Sequence, residues 1–173
     1  MDPKTLAHTV TYTEGLLTRF LDGFDDESRT SQAPGLPNHA IWLLGHCGFS
    51  MNRVAAEFDG EPVNGAFYLD GDGTGGDSAR FDITSIRIGS TPASDPTLYP
   101  TLDRGLDCFK AAIQRLSTAA ANQSSEWLDQ ELVMHGTRLT RGEQVIRLCF
   151  HNGYHAGQLG DLRRALGMPR VIG

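Results

Sequence analysis

The sequence predicts an all-α protein, a four-helix bundle with a long Gly-rich insertion between helices 2 and 3. Three observations carry this. Four stretches repeat apolar residues at steps of three and four, the period of an amphipathic helix. Helix-start and helix-stop residues bracket those stretches. Between the second and the third, the helical period vanishes, and Gly65, Gly71, Gly73, Gly75, Gly76 and Gly89 crowd one segment. Four helices with one apolar face each bury those faces most simply against one another. The length of 173 residues suits a single domain, 1–173, in which 61–95 is the long loop.

The first helix is expected over residues 3–22. Asp2 is placed to cap it, and Pro3 takes the first helical position, where its missing N–H costs nothing. Leu6, Val10, Leu17, Phe20, Leu21 and Phe24 recur along one face, while Lys4, Thr11, Arg19 and Asp22 occupy the other. Pro34, Gly35 and Pro37 punctuate a polar connection. Asn38 is then expected to cap a second helix over 38–58, with Gly60 beyond its end. Along it His39, Trp42, Leu43, His46, Phe49 and Arg53 follow at steps of three and four. His46 therefore sits on an apolar face, whereas His39, near the helix start, is expected to be exposed.

A loop as long as 61–95 inside a compact domain is usually functional. Residues 80–88 mix β-branched side chains in rough alternation, which fits a short strand or hairpin. The run Asp70-Gly71-Asp72-Gly73-Thr74-Gly75 invites a calcium-loop reading, but the twelfth position, which must be a glutamate, is Phe81. Turns explain those glycines better. The third helix is expected over 97–121, with Leu98, Leu102, Leu106, Phe109, Ile113 and Leu116 as its stripe. Ser124 to Leu128 reads as a capped helical turn, and 131–139 as a connection able to run extended. Thr140 and Glu143 make a capping box that opens the last helix, and Gly167 and Pro169 close it.

That last helix, over 145–166, carries the chemistry. His151 and His155 lie four apart, hence on one face and about one turn apart. Leu148, Leu159, Leu162 and Leu166 continue the same face, so both imidazoles point toward the core. Such a pair can bind one metal ion, or each ring can hydrogen-bond to a buried partner. Cys47 is turned about 100° from His46 on its helix, and Cys149 about 160° from His151, so neither faces such an ion. Cys47, Cys108 and Cys149 read as small packing residues. Gln158, three after His155, is near enough to line the same cavity or to orient a ligand. Asp161, Arg163 and Arg164 are expected to make surface or subunit contacts.

Composition narrows the classes. The net charge of −6 and the lack of a dense basic patch argue against nucleic-acid binding. There is no apolar run of membrane-spanning length, so no membrane partner is expected. The opening MDPKTLAHTV lacks the apolar core of a signal peptide. An odd number of cysteines, widely spaced, points to a reducing cytoplasmic setting.

Two segments together resemble the DinB-like superfamily of metal-binding four-helix bundles. One is Asn38-His39-Ala40-Ile41-Trp42-Leu43-Leu44-Gly45-His46. The other is His151-Asn152-Gly153-Tyr154-His155-Ala156-Gly157-Gln158-Leu159, with its tail Leu162-Arg163-Arg164-Ala165-Leu166-Gly167. The family pattern is one histidine on the second helix and an H-x-x-x-H pair on the fourth. The resemblance covers the helical scaffold and leaves 61–95 unexplained. It implies that His46, His151 and His155 are the metal ligands, with at least one coordination position open for substrate. Imidazole suits zinc or nickel, and iron or manganese as well. Characterised relatives include transferases and isomerases that use a low-molecular-weight thiol such as mycothiol or bacillithiol. The resemblance therefore implies a metal-dependent thiol S-transferase or isomerase acting on a small-molecule substrate, often as a homodimer. The alternatives are a metal-dependent hydrolase and a non-catalytic metal-binding stress-response protein.

Overall fold

The computed structural model describes residues 1–171. The chain is mostly helical, with little sheet. The N-terminal segment forms α1 (Pro3–Tyr12) and α2 (Glu14–Phe20) rather than one continuous helix. The break falls at Thr13, whose hydroxyl bonds the Val10 carbonyl at 2.8 Å, one turn back. Asp2 caps α1 as expected, accepting from the Thr5 amide at 2.7 Å.

The second long helix, α3, runs Ala40–Asp59 and ends on Gly60, which adopts φ 76°. That left-handed turn is what favours glycine there. The cap is His39, not Asn38: the His39 Nδ1 accepts from the Trp42 amide at 3.3 Å. Contrary to the expectation from its place at a helix start, His39 is fully buried. Its Nε2 bonds the Ala93 carbonyl at 2.9 Å, and the segment after α3 folds over it. Burial pushes its pKa down to about 4.

Residues 61–95 form no hairpin. They contain a two-residue parallel bridge, β1 (Tyr68–Leu69) against β2 (Phe81–Asp82), followed by the single-turn helix α4 (Ile83–Ile86). Phe81 is 1% exposed, and its ring fills space left by two glycines. A Cβ on Gly45 would lie 2.6 Å from the Phe81 ring, and one on Gly105 3.3 Å from it. Asp82, also buried, accepts from the Gly73 amide at 2.9 Å and the Thr84 amide at 2.7 Å. Phe81 and Asp82 thus plug the core from this segment, with the Asp82 carboxylate tying the segment's backbone down. The Asp/Gly run makes turns, with Asp72 accepting from the Thr74 amide at 2.9 Å.

The third long helix, α5, spans Leu102–Ala121 and starts later than its apolar stripe suggests. Pro100 forces Tyr99 into extended backbone, φ −131° and ψ 153°, and Thr101 then supplies the cap. After the one-turn α6 (Ser125–Leu128), β3 (Glu131–Met134) and β4 (Thr137–Thr140) pair as an antiparallel hairpin. Its two-residue turn puts His135 at φ 50° and Gly136 at φ 78°, the geometry that matches the strands' twist. The capping box at Thr140 and Glu143 then launches α7 (Arg141–Ala165).

Helix α3 packs on α5 and α7, while α1 packs on α5 and α7 and α2 on α7. The shared core includes Leu17, Ile41, Leu44, Phe109, Ile113, Leu116 and Leu159. Arg163 is an internal strut, correcting its reading as a surface residue. It is 4% exposed and donates to the carbonyls of Phe20, Asp22 and Pro169. Arg164 pairs at the surface with Asp161. Among the described residues no helix is long and apolar enough to cross a membrane.

Candidate metal centre

The α3–α7 contact brings His46, His151 and His155 together. The three ligand nitrogens lie within 4.8 Å of one another. His151 Nε2 stands 3.0 Å from His46 Nε2 and 3.1 Å from His155 Nε2. His46 and His155 are 6% and 5% exposed, and His151 is half-buried.

The second nitrogen of two rings is already committed. His46 Nδ1 is 2.7 Å from the Ile86 carbonyl, a pure acceptor, so that nitrogen carries the proton. His155 Nδ1 is 2.8 Å from Gln158 Oε1. Asn38 donates to the same oxygen at 3.1 Å, and the Gln158 amide donates to the Tyr154 hydroxyl at 3.0 Å. Both rings are thereby held as the tautomer whose Nε2 offers a lone pair. Trp42 stacks on His46 at 4.5 Å with rings 9° apart, and its own N–H is anchored to the Ser85 carbonyl and the Ser90 hydroxyl.

All three imidazoles are neutral at pH 7. Burial lowers the pKa of His46. Burial, with the neighbouring rings of His155 and His46, brings His151 to about 3. Burial brings His155 to about 4, against the opposing hydrogen bond from Gln158. Neutral imidazole is the ligand form.

The donor set fits a transition-metal ion. Imidazole nitrogens about 2.0–2.1 Å from a tetrahedral zinc stand about 3.3–3.4 Å apart, within a few tenths of the two separations to His151 Nε2. Without a cation, lone pairs on His46 and His155 crowd one nitrogen of His151, and a single N–H on that ring relieves only part of the conflict. Among the described residues His151 Nδ1 is buried without a hydrogen-bond partner, so no bond seen on its far side fixes its tautomer.

The cysteines stay out. Burial pushes the Cys47 thiol pKa well above its ordinary range, Cys108 up to about 12 and Cys149 up to about 11. Cys108 spends its thiol on the Tyr68 hydroxyl at 2.9 Å.

On one side the histidines open into a cavity of about 610 Å³, reached by His46 and His151. Arg53, Glu57, Arg141, Gln144 and Arg147 line it, with Ile88 and the β3–β4 hairpin as its far wall. Sequence reasoning misses this cavity, although the spacing signals part of it. Arg147 and Gln144 precede His151 by four and seven, and Arg53 follows His46 by seven, so each shares a helix face with a histidine.

The DinB superfamily model matches residues 5–159. The chain belongs to the DinB superfamily. Its fold is similar to a crystal structure described as the conserved protein of locus from Enterococcus faecalis. The two superimpose with a TM-score of 0.71 over 94% of this chain and 96% of that one, at 13% identity. A comparison with curated proteins gave no match.

The role of Gln158 is testable at this point. Gln158→Leu removes the acceptor that orients His155 while leaving all three imidazoles in place. Zinc affinity should fall about 10- to 100-fold, the usual cost of losing a ligand's outer hydrogen bond, as read by competition with a chromogenic chelator. An unchanged affinity would mean that Gln158 does not orient the ring.

Proposed function

We propose that this DinB-superfamily protein is a metal-dependent enzyme in which His46, His151 and His155 hold a divalent ion, zinc or nickel in the first instance. The reading rests on one observation: three neutral imidazoles converge through Nε2, and two of them have Nδ1 tied to a carbonyl oxygen. We further infer a single four-helix-bundle domain that works in the cytoplasm as a homodimer, on a small molecule rather than on nucleic acid. The acidic balance of the chain supports the last point.

The ion would supply Lewis acidity, lowering the pKa of a thiol or water bound to it. The chain's own residues do the rest. The Ile86 carbonyl and Gln158 keep the ligand nitrogens unprotonated and aimed. Trp42 covers one face of His46 and keeps water from it. The cavity beside His46 and His151 would give a substrate access to an ion held by the three histidines, access that a closed structural site would lack. We assign the reaction as attack of a low-molecular-weight thiol's sulfur on an electrophile: the S–H bond breaks, an S–C bond forms, and the proton goes to the adduct or leaves with the displaced group.

The test is thiol consumption by zinc- or nickel-loaded protein with mycothiol or bacillithiol and a panel of electrophiles. The expected result is turnover above background that disappears in the His151→Ala, His155→Ala double variant. No thiol consumption with any electrophile would reject the transferase, and metal-dependent ester cleavage without a thiol would assign a hydrolase instead.

A further inference from the structure

The cavity next to the histidines is charged opposite to the chain as a whole. The protein carries a net −6, yet Arg53, Arg141 and Arg147 all face this one space, against a single carboxylate, Glu57. Among the described residues none of the three arginines joins an ion pair or donates a side-chain hydrogen bond. Arg141 is positioned nonetheless: its guanidinium lies 4.2 Å from the centre of the Trp127 ring, which fixes its plane. Its Nε is buried and without a partner.

A second, independent feature is Gln144, which is 2% exposed. Its amide nitrogen donates to Glu57 at 3.0 Å, and this fixes the amide's orientation. Its Oε1 is left buried with no donor among the described residues. An orphaned buried acceptor carries a desolvation cost that an incoming donor would relieve. The apolar side chains of Ile88 and Val133, 73% and 68% exposed, complete the wall.

We propose that this cavity binds the anionic end of the substrate, a small organic carboxylate that also carries a hydrogen-bond donor. Unpaired guanidiniums match a carboxylate's fork, the orphaned Gln144 Oε1 takes the donor, and the reacting group is left facing His46 and His151. The proposal rests on the three-histidine reading for the direction in which the substrate lies. The arginine field draws such an anion to an otherwise acidic protein.

Calorimetric titration of the purified protein tests this, with mercaptosuccinate, succinate and the uncharged thioglycerol as probes. In the zinc-loaded protein mercaptosuccinate should bind at least tenfold more tightly than thioglycerol. Arg53→Gln combined with Arg147→Gln should remove that advantage while leaving thioglycerol binding and zinc content unchanged. Both arginines are exposed, so the fold should survive their loss. Succinate should bind the metal-free protein and lose at least tenfold in the same variant. This arm holds even if the histidines take no metal, so failure of the histidine reading and failure of this one are distinguishable. Equal binding of charged and uncharged thiols, or succinate binding that ignores the two substitutions, would overturn the proposal.

Discussion

Replacing His151 and His155 together by alanine should take bound metal from about one ion per chain to background. The Nε2 atoms of His46 and His155 both meet that of His151, and the one imidazole left in the variant cannot hold a divalent ion against water. Elemental analysis of the purified variant reads this directly. A thermal measurement reads it again. Excess zinc at 100 times its dissociation constant stabilises a binding protein by about 2.7 kcal/mol. The wild-type melting temperature should therefore rise with added zinc, and that of the double variant should not. The helical circular dichroism should persist, because Leu159, Leu162 and Ala156 still fill the apolar face of α7. Unchanged metal content in a folded double variant would reject the site.

The second large effect is expected far from the histidines in sequence. Phe81→Ala removes a ring that is 1% exposed and wedged over Gly45 and Gly105. Large-to-small changes of this kind cost about 3–5 kcal/mol, because the cavity collapses only in part. For a domain of this size that lowers the melting temperature by roughly 10 °C. A second consequence follows from the chain path. Phe81 anchors the turn that ends at Ile86, and the Ile86 carbonyl holds His46 Nδ1 at 2.7 Å. Zinc affinity should then fall by about tenfold or more, as when any outer partner of a metal-binding histidine is lost. A variant that melts early but binds zinc as tightly as wild type would show that the segment around Phe81 stabilises the core without aiming His46.

What was legible in the chain was chiefly what local geometry decides. The spacing of His151 and His155 is a property of one helix, and so is the leucine stripe beside them. The capping box at Thr140 and Glu143 is likewise a four-residue pattern. Placing His46 beside that pair required a relation between two helices about 100 residues apart, which periodicity cannot supply and the family motif did.

The readings that changed share a cause. His39 looks exposed at a helix start, but the segment around Ala93 returns to cover it. Arg163 looks like a surface charge on α7, but three backbone carbonyls from other segments receive its guanidinium. Residues 80–88 supply the short strand that their alternation suggests, Phe81–Asp82, but not the hairpin, because Phe81 is drawn inward by space that glycines on two other helices leave open. The hairpin of β3 and β4 turns through His135-Gly136, which lacks the Asn-Gly or Asp-Gly pair that announces such turns. For His39, Arg163 and Phe81 the deciding contact is distant in sequence, whereas the turn at His135-Gly136 is local.

X-ray absorption at the zinc edge of the metal-loaded wild-type protein reads the ligands of the ion themselves. Three imidazole nitrogens at about 2.0–2.1 Å, with one further light scatterer, are the expected shell. A sulfur scatterer at about 2.3 Å would place a cysteine on the metal, and a shell without imidazole would place the ion elsewhere; either result contradicts a site built from His46, His151 and His155.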